Sequence, residues 1–245
     1  MRYARVAPVW AQTRAEVGMT LRRGDSLLLA LGIPVLLLVF FSLVHVLPTG
    51  TRHPVDFLAP GILSLAVMST AMVSLGIATG FERGHGVLKR LGTTPLGRPA
   101  LLAAKTGAVL SVEALQALVL VPVALGLGWR PGGDAGLAVA AAVLATMAFS
   151  GIGMLMAGTL RAETTLAGAN GLYLVLLLLG GMVVPLAKLP GGLRTAARAL
   201  PAAALSGALS GSLGAAGRVP PHDWIVLAVW ALAAPTAAAV TFRWE

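Results

Sequence analysis

The sequence predicts an all-α polytopic membrane protein, and two observations carry that prediction. Hydrophobic residues make up 57% of the 245 positions and charged residues only 11%, whereas a typical soluble chain is about 25% charged. The apolar residues also gather into long runs, six of which approach the roughly 20 residues that a helix needs to cross a hydrocarbon core. Because a helix satisfies its own backbone hydrogen bonds in lipid, we expect helices rather than strands.

The first predicted element is an amphipathic helix over residues 5–23. Its less polar positions recur every three or four residues, which places them on one face of a helix, and four arginines lie on or beside it. These positions are Val6, Val9 or Trp10, Thr13, Val17 and Leu21. We expect this helix to lie along the cytoplasmic lipid surface as an interfacial helix. A soluble N-terminal helix is the alternative.

Six transmembrane helices are predicted to follow, within one domain that covers residues 1–245. They lie near residues 27–47, 58–80, 106–128, 137–160, 166–186 and 224–242. Lys and Arg residues concentrate in cytoplasmic loops, and six spans place both termini on one side. That side would hold twelve of the eighteen Lys and Arg residues, so both termini are predicted to be cytoplasmic. The other six are Arg52, Arg130, Lys188, Arg194, Arg198 and Arg218.

A basic segment, residues 82–98, lies between the second and third predicted spans and reads ERGHGVLKRLGTTPLGR. Residues 87–91 have a short amphipathic pattern, and Pro95 ends it. We expect this short helix to present Leu88 and Leu91, beside two basic residues, to the cytoplasm, where they suit a groove on a soluble partner. The alternative is a plain positively charged anchor that only fixes the loop on the cytoplasmic side.

Glu113 is the one acidic residue well inside a predicted span, and Gln116 shares its face of the helix one turn later. A charged side chain at the centre of a bilayer costs about 2.5–3.5 kcal/mol on insertion scales. Glu113 is therefore either a proton- or substrate-coupled acid facing the interior of the bundle or a hydrogen-bonded packing residue. We favour the packing residue, because proton relays usually recruit several acidic or histidine groups.

Residues 189–217 form neither a clean span nor an ordinary polar loop. Pro190 and Pro201 interrupt this segment, and Pro185 precedes it. We expect short broken helices that re-enter the outer leaflet, since irregular backbone at that depth is tolerated only against protein or a wet cavity. A disordered outer loop is the alternative.

The residue types also exclude several chemistries. The net charge of +9 does not indicate nucleic-acid binding, because neither a basic face nor stacking aromatics accompany the arginines. The chain has no cysteine and its four histidines are scattered, so we predict neither a metal site nor a catalytic residue. Lys105-Thr106 resembles the end of a phosphate-binding loop, yet Pro99 and Ala104 occupy its two glycine positions. We therefore expect the chain to bind no ATP and no other cofactor itself.

The basic segment resembles the cytoplasmic coupling loop of ABC-2-type transporter permeases, whose core reads E-R-x-x-G-x-L-K-R-L-x-x-T-P-L. The matching residues are Glu82, Arg83, Gly86, Leu88, Lys89, Arg90, Leu91, Thr94, Pro95 and Leu96. Residues 180–185, followed by Leu189-Pro190 and Leu200-Pro201, are similar to the family's pattern from the fifth span into the outer helices. The chain departs from that pattern at Gly180 and at Ser210, so residues near the outer gate are expected to be specialised.

The resemblance implies the membrane half of an exporter in a bacterial cytoplasmic membrane, similar to drug- and antibiotic-resistance permeases of the daunorubicin type. Two permease subunits, either two copies or two related chains, would pair, and a separate ABC ATP-binding subunit would hold ATP and magnesium. That subunit would contact Glu82, Arg83, Gly86, Leu88, Lys89, Arg90, Leu91 and Pro95. The prolines of the outer gate would be Pro185, Pro190 and Pro201.

The resemblance further implies a small amphiphilic substrate, which would be a drug, an antibiotic or a lipid-like molecule. A polysaccharide is the second choice. A proton-coupled secondary transporter that uses Glu113 is the alternative from another functional class, and an intramembrane enzyme is the least supported.

Overall fold

The computed structural model describes residues 3–22, 24–44, 54–92, 97–214 and 217–242, and within these ranges it contains helices and no strand. The prediction of an all-α protein is confirmed. In chain order the helices are α1 (Tyr3–Arg22), α2 (Gly24–Val44), α3 (Pro54–Met68), α4 (Leu75–Gly84), α5 (Val87–Gly92), α6 (Arg98–Gly126), α7 (Ala135–Thr159), α8 (Ala162–Leu179), α9 (Gly191–Arg198), α10 (Pro201–Leu213) and α11 (Pro221–Thr241).

A π-helical stretch, Ser69–Ser74, joins α3 to α4, so that one continuous helix runs from Pro54 to Gly84. π-Helical insertions are uncommon and occur frequently at functional sites. A shorter 3-10 turn, Leu186–Lys188, follows α8.

Five helices in the described part of the chain are long and apolar enough to cross a membrane. They are Pro54–Gly84, Arg98–Gly126, Ala135–Thr159, Ala162–Leu179 and Pro221–Thr241. The described apolar part of the first predicted span is the shorter helical segment Leu28–Val44. The polytopic architecture therefore agrees with the sequence, and the sixth span stays a prediction.

Several helices begin where the sequence supplies a suitable first residue. Pro99, Pro201 and Pro221 each occupy one of the first positions of α6, α10 and α11, where a missing N–H costs nothing and the fixed φ angle suits a helix. The carboxylate of Asp134 caps α7, because its Oδ1 accepts hydrogen bonds from the amides of Gly136 at 2.7 Å and Leu137 at 3.3 Å.

The centre of the bundle is α7, which packs against α4, α10, α11 and the π-helical stretch. Glycines on α7 make this packing close. A Cβ atom on Gly153 would lie 2.7 Å from the carbonyl oxygen of Met72, and a Cβ atom on Gly151 would meet the backbone of Pro235. Small residues at such crossings let helix backbones approach each other in membrane proteins.

The bundle has two ends, named here by the elements that they hold. The proximal end holds α5, the start of α6 and the turn between α7 and α8. The distal end holds residues 127–134 together with α9 and α10. The amide of Asp134 donates to the carbonyl of Ser212 at 2.7 Å, which ties the start of α7 to the end of α10.

The described part of residues 189–217 contains the short helices α9 and α10, which begin directly after Pro190 and at Pro201. Pro201 is buried, Pro185 is half-buried and Pro190 is exposed. Eight of the first nine residues of α10 are buried, and this helix packs against α3, α7 and α11. α10 is therefore packed into the distal end, whereas Ala197 is the one buried residue of α9.

Candidate functional site

The proximal end is organised around a sharp turn between α4 and α5. Gly86 has a φ angle of +71°, a left-handed conformation that side chains with a Cβ rarely adopt. Its amide donates to the carbonyl of Arg83 at 2.9 Å. Gly86, predicted as part of the coupling loop, thus allows α5 to follow α4 after only two residues.

Lys105 of α6 connects this turn to the first helix. Its Nζ lies 2.7 Å from Oε2 of Glu82 on α4 and 3.0 Å from Oε1 of Glu16 on α1. Lys105 is only 2% exposed, and a charge so deeply buried requires partners of opposite sign. We call these three residues the Lys105 cluster. It joins α1, α4 and α6.

The first helix packs against the rest of the protein, and its position along the cytoplasmic lipid surface stays a prediction. The hydroxyl of Thr13 donates to the carbonyl of Ala104 at 3.3 Å, and a Cβ atom on Gly107 would approach the Thr13 side chain to 3.2 Å. α1 thus lies close along the first turns of α6, next to the Lys105 cluster.

Arg83 anchors the same turn to a different neighbour. Its guanidinium donates to the carbonyl of Leu160, in the turn between α7 and α8. The adjacent residues Glu82 and Arg83 thus hold the end of α4 against two separate elements of the proximal end.

The short helix α5 has one buried and one exposed side. Leu88 is fully buried in the core of the chain, so the prediction that its side chain faces outward is wrong. The apolar side of α5 packs back onto the bundle, while Lys89 and Arg90 are exposed and Val87 is 43% exposed.

Four of the matching residues of the predicted coupling loop fall wholly or partly outside the described part of the chain, among them Thr94 and Leu96, which lie outside it. Pro95 lies outside the described residues, and only the backbone of Leu91 is described, as part of α5. Their predicted contact with an ATP-binding subunit, like that of the other coupling-loop residues, stays a prediction.

A second polar group lies further along α6, where Gln116 joins three elements. Its Nε2 donates to the carbonyl of Ala30 on α2 at 2.9 Å and to the hydroxyl of Thr70 at 3.0 Å. The Thr70 hydroxyl also lies 3.2 Å from Oε1 of Gln116. Because Thr70 belongs to the π-helical stretch, Gln116 links α2, α6 and the long helix.

Glu113 is buried beside Gln116, with 8% of its surface exposed. The hydroxyl of Thr146 on α7 donates to its Oε2 at 2.5 Å. Its other oxygen, Oε1, has no hydrogen-bond partner. The predicted face shared by Glu113 and Gln116 is therefore present and points into the bundle, but one carboxylate oxygen remains unsatisfied.

A cavity of about 590 Å³ lies next to Glu113, between α3, α6, α7 and α10. Most of the residues that line it are aliphatic. It extends from Glu113 and Gln116 towards Trp129 and residues 131–135 of the distal end. The prolines assigned to an outer gate do not line this cavity.

Sequence reasoning missed Glu16, Lys105, Thr70 and Thr146 as partners of the predicted residues. Two of them leave a signal in the sequence: Glu16 is the only acidic residue among residues 1–24, and Lys105 precedes a long apolar run. A buried lysine requires an acidic partner, but the sequence does not reveal which one. The two threonines leave no such signal.

Comparison with known proteins identifies the family. No curated protein matches the sequence. The family model described as ABC-2 type transporter matches residues 8–213, which is most of the chain and includes both the turn at α5 and the short helix α10. That family consists of the membrane subunits of ABC transporters, which carry out transport and not catalysis. The narrower resemblance to daunorubicin-type permeases stays a prediction. The chain therefore belongs to the ABC-2 type transporter family and is a multi-pass permease subunit of an ABC transporter.

Proposed function

We propose that this permease works as an exporter, moving an amphiphile outward across a bacterial cytoplasmic membrane. Two permease subunits would pair, and a separate ATP-binding subunit would dock on α5. The observation that carries the proposal is the Lys105 cluster. It connects the turn before α5, where the ATP-binding subunit would exert force, to α1, α4 and α6, which would have to move.

The contacts of α5 suit the transmission of force. Leu88 is buried in the core and Glu82 is paired with Lys105 at 2.7 Å, so a partner that displaces α5 also displaces α4 and α6. The exposed side, with Lys89 and Arg90, offers positive charge for docking. Complementary charge at such a surface favours the correct partner and its register.

A displacement at the proximal end can reach the middle of the bundle by two routes. Gln116 lies eleven residues beyond Lys105 on α6, or about 16 Å along a helix axis. The long helix from Pro54 to Gly84 reaches the same place, because Thr70 of its π-helical stretch is bonded to Gln116. A partner that binds two arrangements of these helices unequally would shift the population between them.

ATP hydrolysis belongs, in this proposal, to the partner chain. Pro99 and Ala104 occupy the glycine positions of the one phosphate-loop-like stretch, so this stretch lacks the backbone that cradles phosphates. The ATP-binding subunit would hold ATP and magnesium. This permease would supply the docking surface, the path and the helix movement.

The docking of α5 is tested by removing its exposed charges. We expect Lys89→Ala/Arg90→Ala to lose co-purification with the ATP-binding subunit of this transporter, and to lose ATP-dependent export in proteoliposomes. Arg130→Ala/Arg218→Ala is the matched control, because it removes two exposed arginines outside the proximal end. Equal co-purification of the two double variants would overturn docking on α5.

Two features favour an amphiphile over a polysaccharide as the substrate. The cavity beside Glu113 has mainly aliphatic walls, and such surfaces bind apolar groups by excluding water. Hydrogen bonds and stacking aromatics, which a sugar chain needs, are sparse there, with Trp129 the single aromatic residue among the described lining residues.

A proton-coupled secondary transporter is the second candidate, because Glu113 is buried with one oxygen lacking a hydrogen-bond partner. The same proteoliposomes distinguish the two candidates. Export that continues without ATP, follows an imposed proton gradient and disappears in Glu113→Gln would support the secondary transporter. Export that requires ATP and does not respond to an imposed proton gradient would eliminate it.

A further inference from the structure

We propose that the cavity between α3, α6, α7 and α10 is a binding site for a membrane-borne amphiphile that carries a protonated amine. The amine would donate to Oε1 of Glu113, and the apolar body would fill the space towards the distal end. The binding site stands on its own geometry. Only the further step, that the bound amphiphile is the exported substrate, rests on the proposed function.

The dimensions and walls of the cavity suit such a ligand. Its volume of about 590 Å³ is within the range of roughly 300–1,000 Å³ that small-molecule sites occupy. Aliphatic side chains such as Leu63, Val121 and Leu209 form much of the wall, and Trp129, which is 4% exposed, contributes an aromatic ring.

Glu113 gives the cavity its chemical preference. Among the described lining residues it has the only ionisable side chain. Its Oε1 accepts no hydrogen bond, whereas the neighbouring amide of Gln116 already donates to Ala30 and Thr70. An unsatisfied polar atom in apolar surroundings is costly. An ammonium group would offer this oxygen both a proton donor and the opposite charge.

The cavity reaches the surface between α6 and α7, and its lining residues Pro131 and Gly133 at the distal end are exposed as well. Val139 lines it and is nevertheless 63% exposed, and the lining residue Ala114 on α6 is also exposed. Leu118, close to this opening on α6, is 71% exposed. Exposed aliphatic residues on two candidate spans lie where lipid surrounds a membrane protein, so a ligand would enter from the bilayer.

The direct test uses the purified full-length permease in lipid nanodiscs, without an ATP-binding subunit. Two photoactivatable probes share a twelve-carbon chain. One end of the chain carries a primary amine in the first probe and a hydroxyl group in the second, and a diazirine lies near the opposite end in both. Cross-linked peptides are mapped by mass spectrometry, and apparent affinities are read from saturation of the labelling. We expect the amine probe to label α7 and α10 around the cavity.

Two variants separate recognition of the amine from occupancy of the space. Glu113→Gln keeps the size of the side chain and removes its charge. A hydrogen bond to a charged group contributes about 1.5–3 kcal/mol, so this variant is expected to weaken labelling by the amine about 10- to 100-fold and to leave the alcohol unchanged. Val139→Trp fills the opening and is expected to block both probes.

Leu232→Trp is the matched control, because Leu232 is 68% exposed on α11 and does not line the cavity. It is expected to label like the unmodified permease. Equal labelling by amine and alcohol, unaffected by Glu113→Gln, would overturn the proposal in favour of an acyl-chain site. Unchanged labelling in Val139→Trp would place the probes elsewhere. Either result would leave docking of the ATP-binding subunit on α5 intact, since no such subunit is present.

Discussion

At the scale of single residues, Lys105 carries a charge that the fold buries between two carboxylates. Lys105→Met keeps most of the apolar stem and removes the charge. Both carboxylates then lose the ammonium group, whose Nζ lies 2.7 Å from Oε2 of Glu82 and 3.0 Å from Oε1 of Glu16. Removing one member of a buried ion pair costs about 3–5 kcal/mol. We therefore expect a lower unfolding temperature for the purified permease. Lys188→Met, at an exposed position, is the control, and equal unfolding temperatures would contradict this assignment.

The same residues show which contacts a local sequence pattern can predict and which it cannot. Helix periodicity predicts that Glu113 and Gln116 share a face, and both are buried on α6. The sequence does not pair Lys105 with Glu16, because 88 residues separate them and no local rule joins them. The contact of Thr146 with Glu113 cannot be predicted from the sequence either, since a single hydroxyl among aliphatic residues does not alter the hydropathy pattern of a span. Packing of distant helices determines these partners.

At the scale of the element, the orientation of α5 can be tested at two adjacent residues. Leu88 is 0% exposed and Val87 is 43% exposed. Leu88→Asp would bury a carboxylate that has no partner of opposite charge. It would also remove packed methyl groups, and truncating a buried leucine costs about 2–5 kcal/mol on its own. We expect Leu88→Asp to lower the unfolding temperature and the yield in membranes, and Val87→Asp to change neither. Equal behaviour of the two variants would show that Leu88 is not buried.

The elements themselves follow from the sequence more closely than their orientation does. Prolines predict the starts of α9 and α10, and the apolar runs predict the long helices. The start of α6 at Arg98, rather than at residue 106, reflects a helix that continues beyond its apolar run through Lys105. For α5, an amphipathic pattern of a few residues fits either the protein's own core or a partner. Contacts from α4 and the bundle decide in favour of the core.

At the scale of the whole molecule, the sequence predicts the fold class and the family because both depend on features spread over the chain. Hydropathy averages over about 20 residues per span, and the family model matches residues 8–213. The cavity beside Glu113 could not be predicted in the same way. Its walls come from α3, α6, α7 and α10, and its shape depends on how four helices pack.

The orientation of the whole molecule can be tested directly, because the chain contains no cysteine. Maleimide labelling of a single introduced cysteine therefore has no background from other cysteines of the chain. Val87 at the proximal end and Thr195 at the distal end are both exposed, and neither replacement changes the charge. Lys and Arg residues favour the cytoplasmic side, so a membrane-impermeant maleimide should label Thr195→Cys in intact cells and Val87→Cys only after the cells are opened. Labelling of Val87→Cys in intact cells would place α5 outside, where no ATP-binding subunit can reach it.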